Sequence, residues 1–117
     1  MNEQNEDYSK LDLSVGSLEF WVRENKLDWS DGKATILFNI AKSNGSLFVI
    51  KDSDNKLKCY HVILGKGRTD IEIDILKLDK FDKNKAHQTV ITWDINTDKK
   101  LSLYIDGKLA GAKNIEY

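Results

Sequence analysis

The sequence predicts an all-β domain built as an antiparallel two-sheet sandwich, and three observations carry that prediction. Apolar and polar side chains alternate with a period of two in run after run, turn-forming residues separate the runs, and no long stretch holds an apolar stripe at helical spacing. Short strands divided by turns at this interval pack as two layers, because each strand has one apolar face to cover.

The elements follow in chain order. Residues 1–10, MNEQNEDYSK, are polar and charged around Tyr8 and read as a flexible lead or a weakly paired edge strand, so a single ordered domain is expected over 11–117. Leu18, Phe20 and Val22 alternate with Glu19, Trp21 and Arg23, giving a strand with one apolar face, and the same pattern places strands near 36–40 and 46–51. Over 57–64, Leu57, Cys59, His61 and Ile63 alternate with Lys58, Tyr60, Val62 and Leu64; both sets are apolar enough to predict a central strand covered on two sides. Residues 70–78 set Ile71, Ile73 and Ile75 against Asp70, Glu72 and Asp74, one face to the core and one to water, and two more strands are expected near 87–94 and 100–106. The intervening Asp31-Gly32, Asn44-Gly45, Asp52-Ser53-Asp54-Asn55, Gly65-Lys66-Gly67, Asn96-Thr97-Asp98 and Asp106-Gly107 supply residues that tolerate turn dihedrals.

Composition narrows the function classes. The 117 residues suit one domain, which can bury roughly 65% of its unfolded surface and folds without a metal or a disulfide framework. Eighteen basic and nineteen acidic residues are scattered along the chain, leaving a net charge of -1 and no basic stripe, so neither a nucleic-acid nor a membrane-surface partner is predicted. No apolar run approaches the roughly 18 residues of a membrane span, and the first ten residues lack the basic and apolar regions of a secretory signal. The one cysteine, Cys59, has no intrachain partner and lies inside an apolar alternation, where it reads as a small core residue that leaves the compartment undecided.

Three segments in this order, GSLEFWVR at 16–23, AHQTVITWD at 86–94 and KKLSLYIDGKLAG at 99–111, resemble the concanavalin A-like superfamily and, within it, the laminin-G-like modules. The first looks like that family's early strand with an aromatic pair, the second like its His-led alternating strand, and the third like its LYVDG hairpin. With DNKLKCYHV at 54–62, the resemblance covers about residues 11–111. It implies a concanavalin A-like jelly roll, and an extracellular or cell-surface setting. Such modules carry a further strand or two after the hairpin, so the chain reads as a truncated copy with an exposed sheet edge, and pairing of edges between protein chains is expected. Leu101, Leu103 and Ile105 also have a plain folding role, lining the core while Ser102, Tyr104 and Asp106 face outward.

The sharpest enzymatic reading rests on Asp70 to Lys77. Glucanases of the superfamily carry a Glu-x-Asp-x-Glu strand whose first Glu is the nucleophile and whose last is the acid/base. Glu72 and Asp74 match its first two positions, but Leu76 or Lys77 stands at the third. Retaining hydrolysis needs two carboxyl groups about 5–5.5 Å apart across the bond, so leaving-group protonation has no evident donor. A shift of register puts Asp70, Glu72 and Asp74 on one face with Cα atoms roughly 6.6 Å apart, at the cost of shorter outer acids. The plainer reading is a solvated strand face, and no catalytic residues are assigned.

Two loops, Asp94 to Asp98 and Asp52 to Asn55, space oxygen-bearing side chains as calcium loops do, yet both lack the Gly and distant bidentate Glu of an EF-hand and read first as hairpin turns. Calcium is therefore raised by the resemblance and not by a matched ligand set; no cofactor and no metal site is expected. His61 and Cys59 share a face and look like packing, while His87 matches the family's structural His and reads as a hydrogen-bonding anchor.

Aromatic side chains make the best binding case. Trp21, Tyr60 and Tyr104 take the outward parity of their strands and Trp29 lies in the polar stretch DWSDGK. Sugar rings stack their CH faces on aromatic rings while nearby acids and amides bond the hydroxyls. The expected ligand residues are Trp21, Arg23, Tyr60, Glu72, Asp74 and Tyr104, with Trp21, Arg23, Glu72, Asp74 and Tyr104 sharing a concave face if their strands adjoin. Trp93 and Ile91 are assigned to the core. The sequence thus predicts a non-catalytic carbohydrate-binding or adhesion-type module, with a structural or protein-interaction domain as the alternative and a glucanase-like hydrolase behind both.

Overall fold

The period-two runs become strands in the computed structural model, which describes residues 11–23 and 27–117; the lead expected over 1–10 lies outside the described residues. In chain order the strands are β1 (Val15–Val22), β2 (Thr35–Lys42), β3 (Gly45–Lys51), β4 (Leu57–Ile63), β5 (Gly67–Ile73), β6 (His87–Asp94), β7 (Lys100–Ile105) and β8 (Lys108–Asn114). They form two antiparallel four-stranded sheets, a first with strand order β1-β6-β7-β8 and a second with order β2-β3-β4-β5. The chain crosses from the first sheet to the second after β1 and returns after β5, so β1 pairs with β6 in one unbroken register from Val15 opposite Asp94 to Val22 opposite His87.

Alternation decides what each strand buries. Ile91, Trp93, Leu101 and Leu103 from the first sheet meet Leu47, Val49, Leu57, Cys59, Ile71 and Ile73 from the second, all of them buried. Each large aliphatic side chain withdrawn from water in this way contributes about 1.5–3 kcal/mol before the entropy of ordering is counted. Trp93 also satisfies its polar end, its Nε1–H donating to the Asp12 carbonyl at 2.7 Å. The central position expected for 57–64 holds, since β4 lies between β3 and β5, but the expected cover on both sides does not: with only two layers, Lys58, Tyr60 and Val62 are half-buried on the outer face and Leu64 is exposed.

Three local expectations are corrected. The strand expected over 70–78 starts earlier, at Gly67, and ends at Ile73; Asp74 takes φ -79° and ψ 85°, and a 3-10 turn, Ile75–Lys77, tucks Ile75 into the core. A further strand, β8, follows the Asp106-Gly107 turn, whose positive φ values of 52° and 82° suit the right-handed twist of a tight hairpin. Trp29, set in a polar stretch and counted among the aromatics available to a ligand, is 2% exposed and meets the Phe81 ring edge-on at 5.4 Å. The edge strands β2 and β8 each carry a register break, between Ile36 and Phe38 and opposite Leu103 and Tyr104 respectively.

Candidate functional site

The outer face of the first sheet is built by the residues that alternate with its core set. Leu18, Phe20 and Val22 turn inward on β1, which leaves Glu19 and Trp21 outward, and Arg23 follows on the same parity. Across the sheet Trp21 lies opposite Gln88, and Glu19, Val90, Tyr104 and Leu109 form one row through β1, β6, β7 and β8. Trp21 is 56% exposed and Tyr104 half-buried. They stand two strands and one two-residue step apart, about 12 Å between Cα atoms from strand spacing and rise.

Glu19 and Gln88 lie on the diagonal between those aromatics, and the Gln88 side-chain amide donates to the Glu19 carboxylate. Beneath them the backbone N–H of Gln88 donates to Asp106 Oδ1 at 3.0 Å, while Asp106 Oδ2 meets His87 Nδ1 at 2.6 Å. His87 Nε2 donates to the Asp82 carbonyl at 2.5 Å and the ring stacks on Phe81 at 4.1 Å. His87 is thus the anchor the sequence predicts, tying the β6 start to the β7–β8 hairpin and to the 78–86 loop.

The second sheet presents a different surface. Tyr60 and Glu72 point outward from β4 and β5, with Phe48 opposite Tyr60 and Asp70 on its other side. Phe48 and Tyr60 stack at 5.9 Å, and the Arg68 guanidinium covers Tyr60 at 5.3 Å from its centroid. Arg68 Nη2 donates to Asp70 Oδ2 at 2.9 Å, and its Nε lies 2.8 Å from Oδ1, outside hydrogen-bonding geometry. Glu72 has Lys56 at 3.4 Å and Lys58 at 3.7 Å, and Asp74, beyond the strand end, has Lys77 at 3.5 Å.

The six expected ligand residues are therefore divided. Trp21 and Tyr104 share the first sheet with Arg23 just past the end of β1, Tyr60 and Glu72 lie on the opposite side of the sandwich, and Asp74 immediately precedes the 3-10 turn. The common face expected for Trp21, Arg23, Glu72, Asp74 and Tyr104 does not form, because β1 pairs with β6 and β5 pairs with β4 in separate layers. The three-acid row is broken for a related reason: Asp70 and Glu72 share a face, but the strand stops before Asp74.

Both oxygen-rich loops engage their acids within the chain. Asp52 and Asp54 converge on Lys58 Nζ at 2.9 and 3.1 Å, and this pairing holds the Lys58 ammonium proton more tightly than usual. Asp94 accepts the Thr97 and Asn96 N–H groups at 2.9 and 2.8 Å, which lowers its pKa and closes the turn. Among the described residues no group of three or more His, Cys, Asp and Glu is placed to hold a metal ion. His61 and Cys59 lie on the inner face: burial pushes the Cys59 thiol up to about 12, and the His61 Nε2–H donates to the Leu13 carbonyl at 2.7 Å.

Glu19 and Gln88 were missed by sequence reasoning. Their outward parity was readable beside Trp21 and His87, but their meeting required the β1–β6 register.

Residues 4–117 match a laminin-G-like family model described as the concanavalin A-like lectin/glucanases superfamily. Neither the curated proteins nor the solved structures yield a match. The matched span takes in the whole two-sheet sandwich, and the chain belongs to the laminin-G-like family of the concanavalin A-like lectin/glucanases superfamily.

Proposed function

We propose that this domain is a non-catalytic module that holds a saccharide on the outer face of its first sheet. The observation that carries the reading is the pairing of an open Trp21 with Tyr104 on one face, the Glu19–Gln88 pair lying between them. Rings supply stacking surface for the CH faces of a sugar, and the carboxylate and amide supply acceptors and a donor for its hydroxyls. Support for a binding role over turnover comes from the acids of β5. Glu72 has two lysines at hand and Asp70 is held by Arg68, so the two acids on this strand are both engaged by cations and do not form the free carboxyl pair that glycosidic hydrolysis requires.

A glycan array followed by calorimetry tests the reading. Trp21→Ala and Tyr104→Ala are each expected to weaken binding about tenfold with the fold retained. Uniformly flat signals at millimolar sugar sink the proposal. Hydrolysis of a β-glucan panel that disappears on Glu72→Gln overturns its non-catalytic half.

A further inference from the structure

We infer that the Glu19–Gln88 pair sets the charge class of the ligand, so that the face takes neutral, hydroxyl-rich glycans and excludes those bearing carboxylate or sulfate; this rests on the saccharide reading above. The argument starts from hydrogen-bond inventory. Gln88 spends one amide N–H on Glu19 Oε2, which leaves its second N–H, its carbonyl oxygen and Glu19 Oε1 without a partner among the described residues, on the face that carries Trp21 and Tyr104. Two acceptors beside one donor complement a pair of neighbouring hydroxyls, each of which can donate as well as accept.

The charges of this surface point the same way. Glu19 is exposed, and Asp106, whose Oδ1 accepts the Gln88 backbone N–H, has a side chain 49% exposed, so two carboxylates flank Gln88. The other Asp106 oxygen, Oδ2, meets His87 Nδ1 from the buried side. Cations stand further off: Arg23, just past the end of β1, lies about 11 Å from the midpoint between Trp21 and Tyr104 by strand spacing and rise, against about 6 Å for Glu19, and beyond a Debye length of about 8–10 Å. Lys108 takes the opposite parity, across from Ile105. An anionic sugar laid between the two rings meets the Glu19 and Asp106 carboxylates before any cation and finds acceptors where it needs donors.

The test uses an array of neutral glycans, each paired with a uronate- or sulfate-bearing counterpart on the same backbone. Wild type is expected to retain the neutral member at least about tenfold better than its anionic partner, a ratio that shrinks as salt is added. Glu19→Gln keeps an acceptor for the Gln88 amide while removing the charge, and is expected to bring the neutral-to-anionic ratio toward unity. Gln88→Leu is expected to weaken neutral binding. A wild-type preference for the anionic partner, or an unchanged ratio in Glu19→Gln, overturns the inference and leaves the saccharide reading standing where Trp21→Ala still weakens binding. An array silent for wild type overturns both.

Discussion

Gly16 lies directly opposite Trp93 across the β1–β6 pair, and a Cβ at Gly16 would stand 2.9 Å from Trp93 Cζ2. The missing side chain leaves room for the indole beside β1, where its Nε1–H reaches the Asp12 carbonyl. Gly16→Ala therefore forces the ring or the strand to shift, and a loss of about 1–3 kcal/mol is expected, as for other overpacked cores. Thermal unfolding followed by near-UV circular dichroism checks this; an unchanged Tm would show that the indole has room to move.

Much of the first sheet was legible because β1, β6 and β7 alternate in sequence; burial follows that alternation strictly on β6, while on β7 Ser102, expected to face outward, is buried at 8% exposure. β8 was less so: Lys-Leu-Ala-Gly-Ala-Lys-Asn has no β-branched residue and no alternation, and it is held through its ladder with β7 and the close fit of Gly111 against Ile71 and Ile73. Trp29 shows the same limit, since its burial depends on Phe81, far along the chain. The candidate site was half legible. Parity exposes Trp21 and Tyr104, but which layer each strand joins depends on pairings such as Val22 with His87, which no local pattern records.

Cys59 carries a chemical prediction. Its side chain is fully buried on β4 and burial, with Asp70 adding to it, raises the thiol to about 12. Because the thiolate is the reactive species, the folded protein is expected to resist alkylation at pH 8 and to react fully in denaturant. Mass spectrometry after iodoacetamide treatment measures both. Prompt labelling under native conditions would mean that β4 opens far more readily than its central position implies.

His61 makes stability depend on pH in a defined window. The ring is fully buried between Trp93 and Tyr117, and burial lowers its pKa below 6.5, a shift opposed by its bond to the Leu13 carbonyl. Above pH 6.5 the imidazole is neutral in both folded and unfolded chains and contributes no slope. As pH falls through 6.5 the unfolded chain takes the proton first, so stability drops, by at most about 1.4 kcal/mol per pH unit. Asp31, Asp52, Asp54 and Asp94, all lowered from 3.8, act separately: their contribution is present above 3.8 and is lost as the pH falls through their folded values. Denaturant midpoints between pH 8 and 5 should decline for wild type and stay flatter for His61→Gln.

Lys51 is the one cation on the inner face of β3, its side chain 0% exposed, with its ammonium donating to the Asp31 carboxylate and the Lys33 carbonyl. The Lys51 hydrogen bond, helped by the Lys33 N–H, holds the Asp31 carboxyl below its usual range. Removing either partner is not equivalent. Asp31→Ala leaves a buried ammonium with only a carbonyl to meet it and should destabilise clearly, because the desolvation cost remains without its compensation. Lys51→Met replaces the charge by an apolar chain of similar length on a core-facing position and frees Asp31 to water, so it should cost much less or even stabilise. Urea unfolding of the two variants beside wild type distinguishes them. If Lys51→Met proves the worse of the two, the ammonium holds the 31–33 turn to β3 more than its burial costs, and the ion pair is a net stabilising contact.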